Sequence, residues 1–191
     1  MVNVKSLFVG ASVLISGIAA APVSSDVAAP EARSLERRTF TGAASDPNNI
    51  LENTYIMGPN YKSKGYTSAT VSNLSGCTAL YIWDKDFIPS VFHIFCGQER
   101  ADGKAAGEMV EELGSQWWAG GAGISSSTPT RLKAVKDGLK EAIPDIRIIN
   151  EEIYTRGEGD MARTKVTVAK NSNVFNEVNY EGTPTQQGKK N

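Results

Sequence analysis

The feature that most constrains the fold is a 23-residue stretch, SGCTALYIWDKDFIPSVFHIFCG, at positions 75–97. Within it, residues 77–83 and 88–96 are rich in β-branched and aromatic side chains, which favour strands. The polar triplet at 84–86 separates the two runs. We therefore predict an antiparallel hairpin around which the rest of the chain must pack.

This hairpin also carries both cysteines, Cys77 and Cys96, and the only histidine, His93. Alternate residues of a strand share a face, so His93 and Cys96, three positions apart, would face opposite sides. Cys77 on the partner strand can then lie opposite Cys96, which allows a disulfide, or opposite His93, which allows a thiol–imidazole pair. A bulge at Pro89 would remove this choice. The sequence leaves both registers open.

The flanking sequence predicts two helices and several further strands. Apolar spacing predicts a helix within residues 99–113, and a capping Thr128 before Pro129 predicts a second helix that ends at Pro144. Strands are predicted within 61–73 and 174–180, a hairpin from 145–154 and 163–170, and a glycine- and serine-rich loop over 117–128. The expected fold class is α+β: a mainly antiparallel β-sheet or sandwich with two to three helices.

The N-terminal sequence predicts export. Residues 1–21 combine a basic start, a short apolar run and small residues, as a signal peptide does. Residues 22–38 have little to bury, so we expect a disordered pro-segment processed at Arg37-Arg38, a leader that resembles those of fungal secreted proteins. Residues 39–191 then form one mature domain with a polar C-terminal tail. We expect a secreted, extracellular protein with no membrane segment in its mature form.

The charge of the mature chain argues against an anionic partner. The chain has 20 Lys+Arg and 21 Asp+Glu, and the leader removes four bases and three acids, which leaves 16 against 18. A net charge of −2 provides no strong positive field, so we expect no nucleic-acid partner. The candidate ligands are too few for a structural zinc site. We predict no metal and no cofactor, and a monomer that meets a protein substrate or a host protein.

The two cysteines support two hypotheses from different classes. Outside the cell, a Cys77–Cys96 disulfide would stabilise the hairpin by roughly 3 kcal/mol. Alternatively, His93 takes the proton of Cys77 and creates a nucleophilic thiolate. A backbone carbonyl would then orient the imidazole. Gly76, with a backbone N–H, and Thr78, with a small hydroxyl, would stand beside the reacting centre.

A resemblance favours the catalytic hypothesis. Ser75-Gly76-Cys77-Thr78 opens a hydrophobic strand and His93 follows on the return strand, which resembles the glutamine deamidase domain of the cytotoxic necrotizing factor toxins. A similar arrangement occurs in secreted fungal proteins. The resemblance covers residues 75–96 and implies that Cys77 attacks a glutamine side-chain amide of another protein while His93 acts as general base. Water completes deamidation, and an amine gives transglutamination.

The implied protein is a secreted effector or toxin-like glutamine deamidase or transglutaminase. The alternative is a non-catalytic secreted effector, stapled by Cys77–Cys96, that binds a host or cell-surface partner. Asn73 begins the only glycosylation sequon, Asn-Leu-Ser. A glycan four residues before Cys77 would crowd a substrate, so an occupied Asn73 would favour the alternative.

Overall fold

The computed structural model describes residues 40–158 and 162–181. The predicted signal peptide, the pro-segment with Arg37 and Arg38, and the polar tail lie outside the described residues. Within the described ranges, none of the helices combines the length and the apolar character that crossing a bilayer requires.

The described residues form three helices and nine strands, which confirms the predicted α+β class. The strands are β1 Gly42–Ala43, β2 Thr54–Ile56, β3 Ser68–Leu74, β4 Thr78–Trp83, β5 Pro89–Ile94, β6 Gly121–Ser126, β7 Ile148–Ile153, β8 Ala162–Ala169 and β9 Phe175–Glu181. The helices are α1 Gly58–Ser63, α2 Glu99–Glu111 and α3 Pro129–Ala142, with a 3₁₀ turn at Ser115–Trp117.

The strands form two sheets. The larger, six-stranded sheet has the order β1-β2-β5-β4-β6-β7 and is mixed, because β1 pairs parallel with β2 and β6 pairs parallel with β7. The smaller sheet has the order β3-β8-β9 and is antiparallel throughout. The predicted hairpin is present as β4 and β5, next to each other at the centre of the larger sheet.

Strand β4 is buried on both faces, as its uninterrupted apolar sequence requires. Tyr81 and Trp83 face the smaller sheet and form one core with its apolar side chains. Leu80 and Ile82 face the opposite way and pack against the apolar sides of α2 and α3. The described chain is therefore layered: helices, the six-stranded sheet, then the three-stranded sheet.

The prediction of a loop over residues 117–128 was wrong for its second half. Gly121–Ser126 is β6, a fully buried strand between β4 and β7. Its small residues make room for aromatic neighbours: a Cβ on Gly123 would lie 2.4 Å from the ring of Trp83 and 2.8 Å from that of Phe175. A sequence that reads as a flexible loop is here a strand packed beneath large side chains.

The predicted pairing of residues 145–154 with 163–170 was also wrong. Both segments are strands, but β7 pairs parallel with β6 through the crossover helix α3, whereas β8 lies between β3 and β9. The alternating sequence of β8 correctly indicated one buried face. Periodicity gives the orientation of side chains in a strand and says nothing of which strand it pairs with.

Helix α3 begins as predicted. The hydroxyl of Thr128 accepts a hydrogen bond from the backbone N–H of Arg131 at 3.3 Å, and Pro129 occupies the first turn. We expect Thr128→Ala to lower the free energy of unfolding by about 1 kcal/mol, because one N–H at the helix start loses its acceptor. Urea denaturation would measure this loss, with Thr130→Ala in the same turn as the control. An equal loss in both variants would contradict a capping role.

Candidate functional site

The observed register of the hairpin differs from both predicted ones. Ala79 lies opposite His93, whereas a Cys77–His93 pair requires Cys77 there and a Cys77–Cys96 pair would bring Leu80 there. Cys77 immediately precedes β4 and packs in the same core cluster as Ala79, so it lies on the face of the sheet to which His93 also belongs. The bulge that could have removed the choice of register does not occur at Pro89, which starts β5 and pairs with Trp83.

The alternation of side chains along a strand does not apply to Cys96, because β5 ends at Ile94. The chain then turns through Gly97, whose φ is +92°, and the side chain of Cys96 packs against the cluster that contains Cys77. The premise that His93 and Cys96 must face opposite sides therefore fails. Cys77 has His93 on its own face of the sheet and Cys96 as a direct neighbour.

The imidazole of His93 is buried, with 1% of its surface exposed. Its Nδ1 lies 3.1 Å from the carbonyl oxygen of Ile50. Burial lowers the pKa of His93 to about 4, although the Ile50 carbonyl opposes this shift, so the ring is neutral at pH 7. A carbonyl can only accept, so Nδ1 carries the proton and donates it. Nε2 is then an unprotonated acceptor, and it has no hydrogen-bond partner among the residues that the structure describes.

The segment that orients His93 joins the two sheets. Ile50 donates its N–H to Thr70 of β3 at 2.9 Å, and its carbonyl also accepts from the N–H of Ser72 at 3.1 Å. Two residues further along, the Oε1 atom of Glu52 lies 3.6 Å from the Cys77 sulfur. One short segment therefore contacts both candidate catalytic side chains.

Cys77 and Cys96 are free thiols whose sulfurs are close but not at bonding distance. The hydrogen-bond acceptor for the Cys77 thiol is Glu52 Oε1, and the side-chain interaction with Cys96, together with burial, raises the pKa of Cys77. The interaction with Cys77 lowers the pKa of Cys96, and the charge of Arg131 adds to this effect. In this arrangement Cys96 is the more acidic thiol of the pair.

The peptide between Gly76 and Cys77 is firmly held. The Gly76 carbonyl accepts hydrogen bonds from Arg131 Nη1 and, at 2.7 Å, from Ser127 Oγ. No peptide bond in the described chain is cis, so the N–H of Cys77 points away from this carbonyl. Gly76 has a φ of +143°, and a Cβ there would lie 2.9 Å from Arg131 Nη1. The buried hydroxyl of Tyr154 fixes the next carbonyl, that of Cys77, at 2.9 Å.

Thr78 is placed differently from the prediction. It is the first residue of β4, so its side chain lies on the face opposite to that of Cys77 and Ala79. Its buried hydroxyl forms a 2.7 Å hydrogen bond with that of Ser126 on β6. Thr78 therefore supports the strand, and its hydroxyl does not adjoin the sulfur.

Asn73 lies at a bulge in β3, with a φ of +61° and 9% of its surface exposed. Its backbone N–H donates a hydrogen bond to the hydroxyl of Tyr180 at 3.0 Å. A glycan needs an outward side chain. The burial of Asn73 in the folded protein disfavours attachment of a glycan to it. Without a glycan, the predicted crowding of Cys77 does not arise.

A cavity of about 520 Å³ lies elsewhere, between α3 and β7. Its lining residues are Pro129, Leu132, Lys133, Lys136, Asp137, Glu151 and Ile153. None of the candidate site residues contributes to it. The cavity is lined by charged and apolar side chains, with no cysteine, serine or histidine among them.

Comparison with family models, with curated proteins and with solved structures finds no match to this chain. The resemblance at residues 75–96 therefore remains a prediction from those residues alone.

Several residues of this site were not found from the sequence. The need for a backbone carbonyl beside His93 was anticipated, but Ile50 was not, because any residue type can supply a carbonyl. Glu52, Arg131 and Tyr154 reach the site from segments 25, 55 and 77 residues away along the chain. No local motif marks them, and only the packing of the sheets and α3 brings them together.

Proposed function

We propose that this protein is a secreted, effector- or toxin-like glutamine deamidase in which Cys77 is the nucleophile and His93 the general base. One observation carries the proposal. The Ile50 carbonyl accepts a hydrogen bond from Nδ1–H of a neutral imidazole, which leaves Nε2 as an acceptor without a partner in the described ranges, on the same sheet face as Cys77. A catalytic base needs this tautomer and this freedom.

The proposed reaction follows from these groups. Nε2 of His93 takes the thiol proton of Cys77, and the sulfur attacks the side-chain amide carbon of a substrate glutamine. We assign the stabilisation of the oxyanion to the N–H of Cys77, which the trans peptide turns away from the anchored Gly76 carbonyl, in place of the Gly76 N–H expected from the sequence. The imidazolium returns its proton to the departing ammonia. Water then hydrolyses the thioester to glutamate, and a primary amine in its place gives transglutamination.

The resting arrangement must change in one respect for this chemistry. The Cys77 thiol is directed to Cys96 and Glu52, and rotation about its Cα–Cβ bond would turn it towards His93. Diagonal neighbours on one face of an antiparallel pair lie about 7–8 Å apart at their Cα atoms, within reach of a long side chain such as histidine. Catalytic hydrogen bonds commonly tighten only when substrate binds.

The burial of the site favours the alternative function. Cys77 is 4% exposed and its sulfur adjoins another thiol, as it would in a stapled hairpin. A non-catalytic secreted effector that binds a host or cell-surface protein would have no need to expose Cys77 or His93 to solvent. In either function the expected partner is a protein, and we propose a monomer without a nucleic-acid partner.

The test is ammonia release by the reduced protein from an unfolded, glutamine-rich polypeptide at pH 7.5. We expect ammonia in equal amount to the glutamine-to-glutamate conversions counted by peptide mass spectrometry. An added primary amine should divert part of the product into amine adducts, since both pathways share one thioester. A reduced, folded protein that yields neither conversion nor adduct on such substrates would support the binding function instead.

A further inference from the structure

We propose that Cys96 is a thiol–disulfide exchange site for small disulfides such as oxidised glutathione, with Cys77 as the resolving thiol. The product is an intramolecular Cys77–Cys96 bridge that removes the nucleophile. The exchange chemistry stands by itself, and only its effect on catalysis rests on the proposed function.

The two thiols differ in access. Cys96 is half-buried and lies in the turn that follows β5, whereas Cys77 is 4% exposed at the start of β4. A Cβ built on the adjacent Gly97 would meet no atom of the described residues within 4 Å, so these residues leave the turn open on that side. A small disulfide arriving from solvent therefore reaches the sulfur of Cys96 first.

The interaction with Cys77 is the main cause that favours the Cys96 thiolate, and burial of the thiol opposes it. Arg131 is the adjacent cation and also favours the thiolate, and its Nε contacts Glu99 at 3.2 Å. Glu99 and Glu52 are the facing acids and oppose the effect of Arg131. A thiolate attacks disulfides and a thiol does not, so the accessible sulfur is also the reactive one.

The reaction balances in two exchanges. The Cys96 thiolate attacks one sulfur of oxidised glutathione, which forms a Cys96–glutathione disulfide and releases one glutathione thiolate. Cys77 then loses its proton to a glutathione thiolate, and its sulfur attacks Cys96 and expels the second glutathione. Two protein thiols are oxidised to one disulfide, and one oxidised glutathione is reduced to two thiols.

The site would thus have two redox forms: an oxidised form with the Cys77–Cys96 disulfide and a reduced form with a free Cys77 thiol. The neighbouring sulfurs need only a small shift to bond, because Cys77 and Cys96 both lie just outside the paired residues of the hairpin. The oxidised form has no thiol at Cys77. A protein exported through an oxidising compartment would then be inactive until a reducing environment opens the bridge.

The test is intact-mass analysis after the reduced protein is incubated with oxidised glutathione. We expect the wild-type protein to lose two hydrogen atoms and retain no glutathione. Cys77→Ser should retain one glutathione on Cys96, because the resolving thiol is missing. Cys96→Ser should react at least about tenfold more slowly than Cys77→Ser, since Cys77 is buried and its thiolate disfavoured.

Two variants test the role of the Arg131 charge: Arg131→Gln removes it and Arg131→Lys keeps it. Iodoacetamide should alkylate Cys96 about tenfold more slowly in Arg131→Gln, and Arg131→Lys should restore most of the rate. A wild-type protein that keeps glutathione on Cys96 with Cys77 free, or faster reaction at Cys77, would overturn the proposal.

The two proposals fail separately. A bridge that forms as described in a protein without deamidase activity would contradict only the proposed function. Deamidase activity that persists after complete treatment with oxidised glutathione, with both thiols still free, would contradict only the exchange site.

Discussion

Cys77→Ala is expected to lower ammonia release from a glutamine-rich polypeptide by about 10³-fold or more, because it removes the sulfur that forms the thioester in the proposed mechanism. The loss should appear in kcat with reduced protein. Replacement of a 4% exposed thiol by a methyl group leaves only a small cavity, so the variant should remain folded. Circular dichroism and urea denaturation would verify this.

Cys96→Ser is the matched control. It removes the neighbouring thiol of the same hairpin and keeps a similar volume, so the reduced variant should retain wild-type activity within about threefold. The opposite pattern, with activity lost in Cys96→Ser and kept in Cys77→Ala, would show that the nucleophile is Cys96 and that the assignment to Cys77 is wrong. Equal activity in both variants and the wild type would exclude thiol catalysis.

The second large effect concerns the stability of the fold against acid. The pKa of His93 is about 4 in the folded protein and 6.5 as a reference for the unfolded chain. Between these values the unfolded chain binds a proton that the folded protein does not, so stability falls as pH decreases from 6.5 towards 4. We expect the wild type to lose about 3 kcal/mol relative to His93→Gln over this range.

Asp102 makes the comparison with a variant necessary. Burial raises its pKa to about 7, so the folded protein holds a proton that the unfolded chain releases, and stability falls as pH rises from 4 to 7. This slope opposes that of His93 and cancels when the wild type and His93→Gln are compared. Asp102→Asn should expose the His93 slope directly. Urea denaturation at pH 7, 5.5 and 4 would measure the free energies of unfolding of the wild type and His93→Gln. A difference between them that does not change with pH would contradict a buried, neutral imidazole.

The elements that the sequence predicted best are those whose signal is local. The β4–β5 hairpin has two strand-forming runs around a polar turn, and α3 has its cap and proline. Register was predicted wrongly because it depends on where each strand ends. The prediction extended the second strand to Cys96, whereas pairing stops at Ile94.

The elements that were missed depend on distant partners. Gly121–Ser126 is a strand because Trp83 and Phe175 fill the space that its glycines leave, and neither residue is near it in sequence. The parallel pairing of β6 with β7 likewise requires α3 to cross over the sheet. Composition and periodicity describe a segment by itself and carry no information about such neighbours.

The candidate site shows the same division. Cys77 and His93 were predicted from their residue types, and the structure places them on one face of the sheet. The residues that hold them act through backbone carbonyls and long-range contacts, so their identities follow from the fold alone. Thr78 was predicted by proximity in sequence and lies on the other face because neighbouring strand residues alternate.

Ile50 receives hydrogen bonds from both β3 and His93, so the proton on Nδ1 depends on the spacing between the two layers of strands. A slight separation of those layers would free the ring to rotate or change tautomer while every strand stayed intact. Under the proposed function, turnover would then decline at temperatures or denaturant concentrations where spectroscopy still reports a native protein. Deamidase activity would therefore respond to a change in the distance between the two sheets before circular dichroism detects a loss of secondary structure.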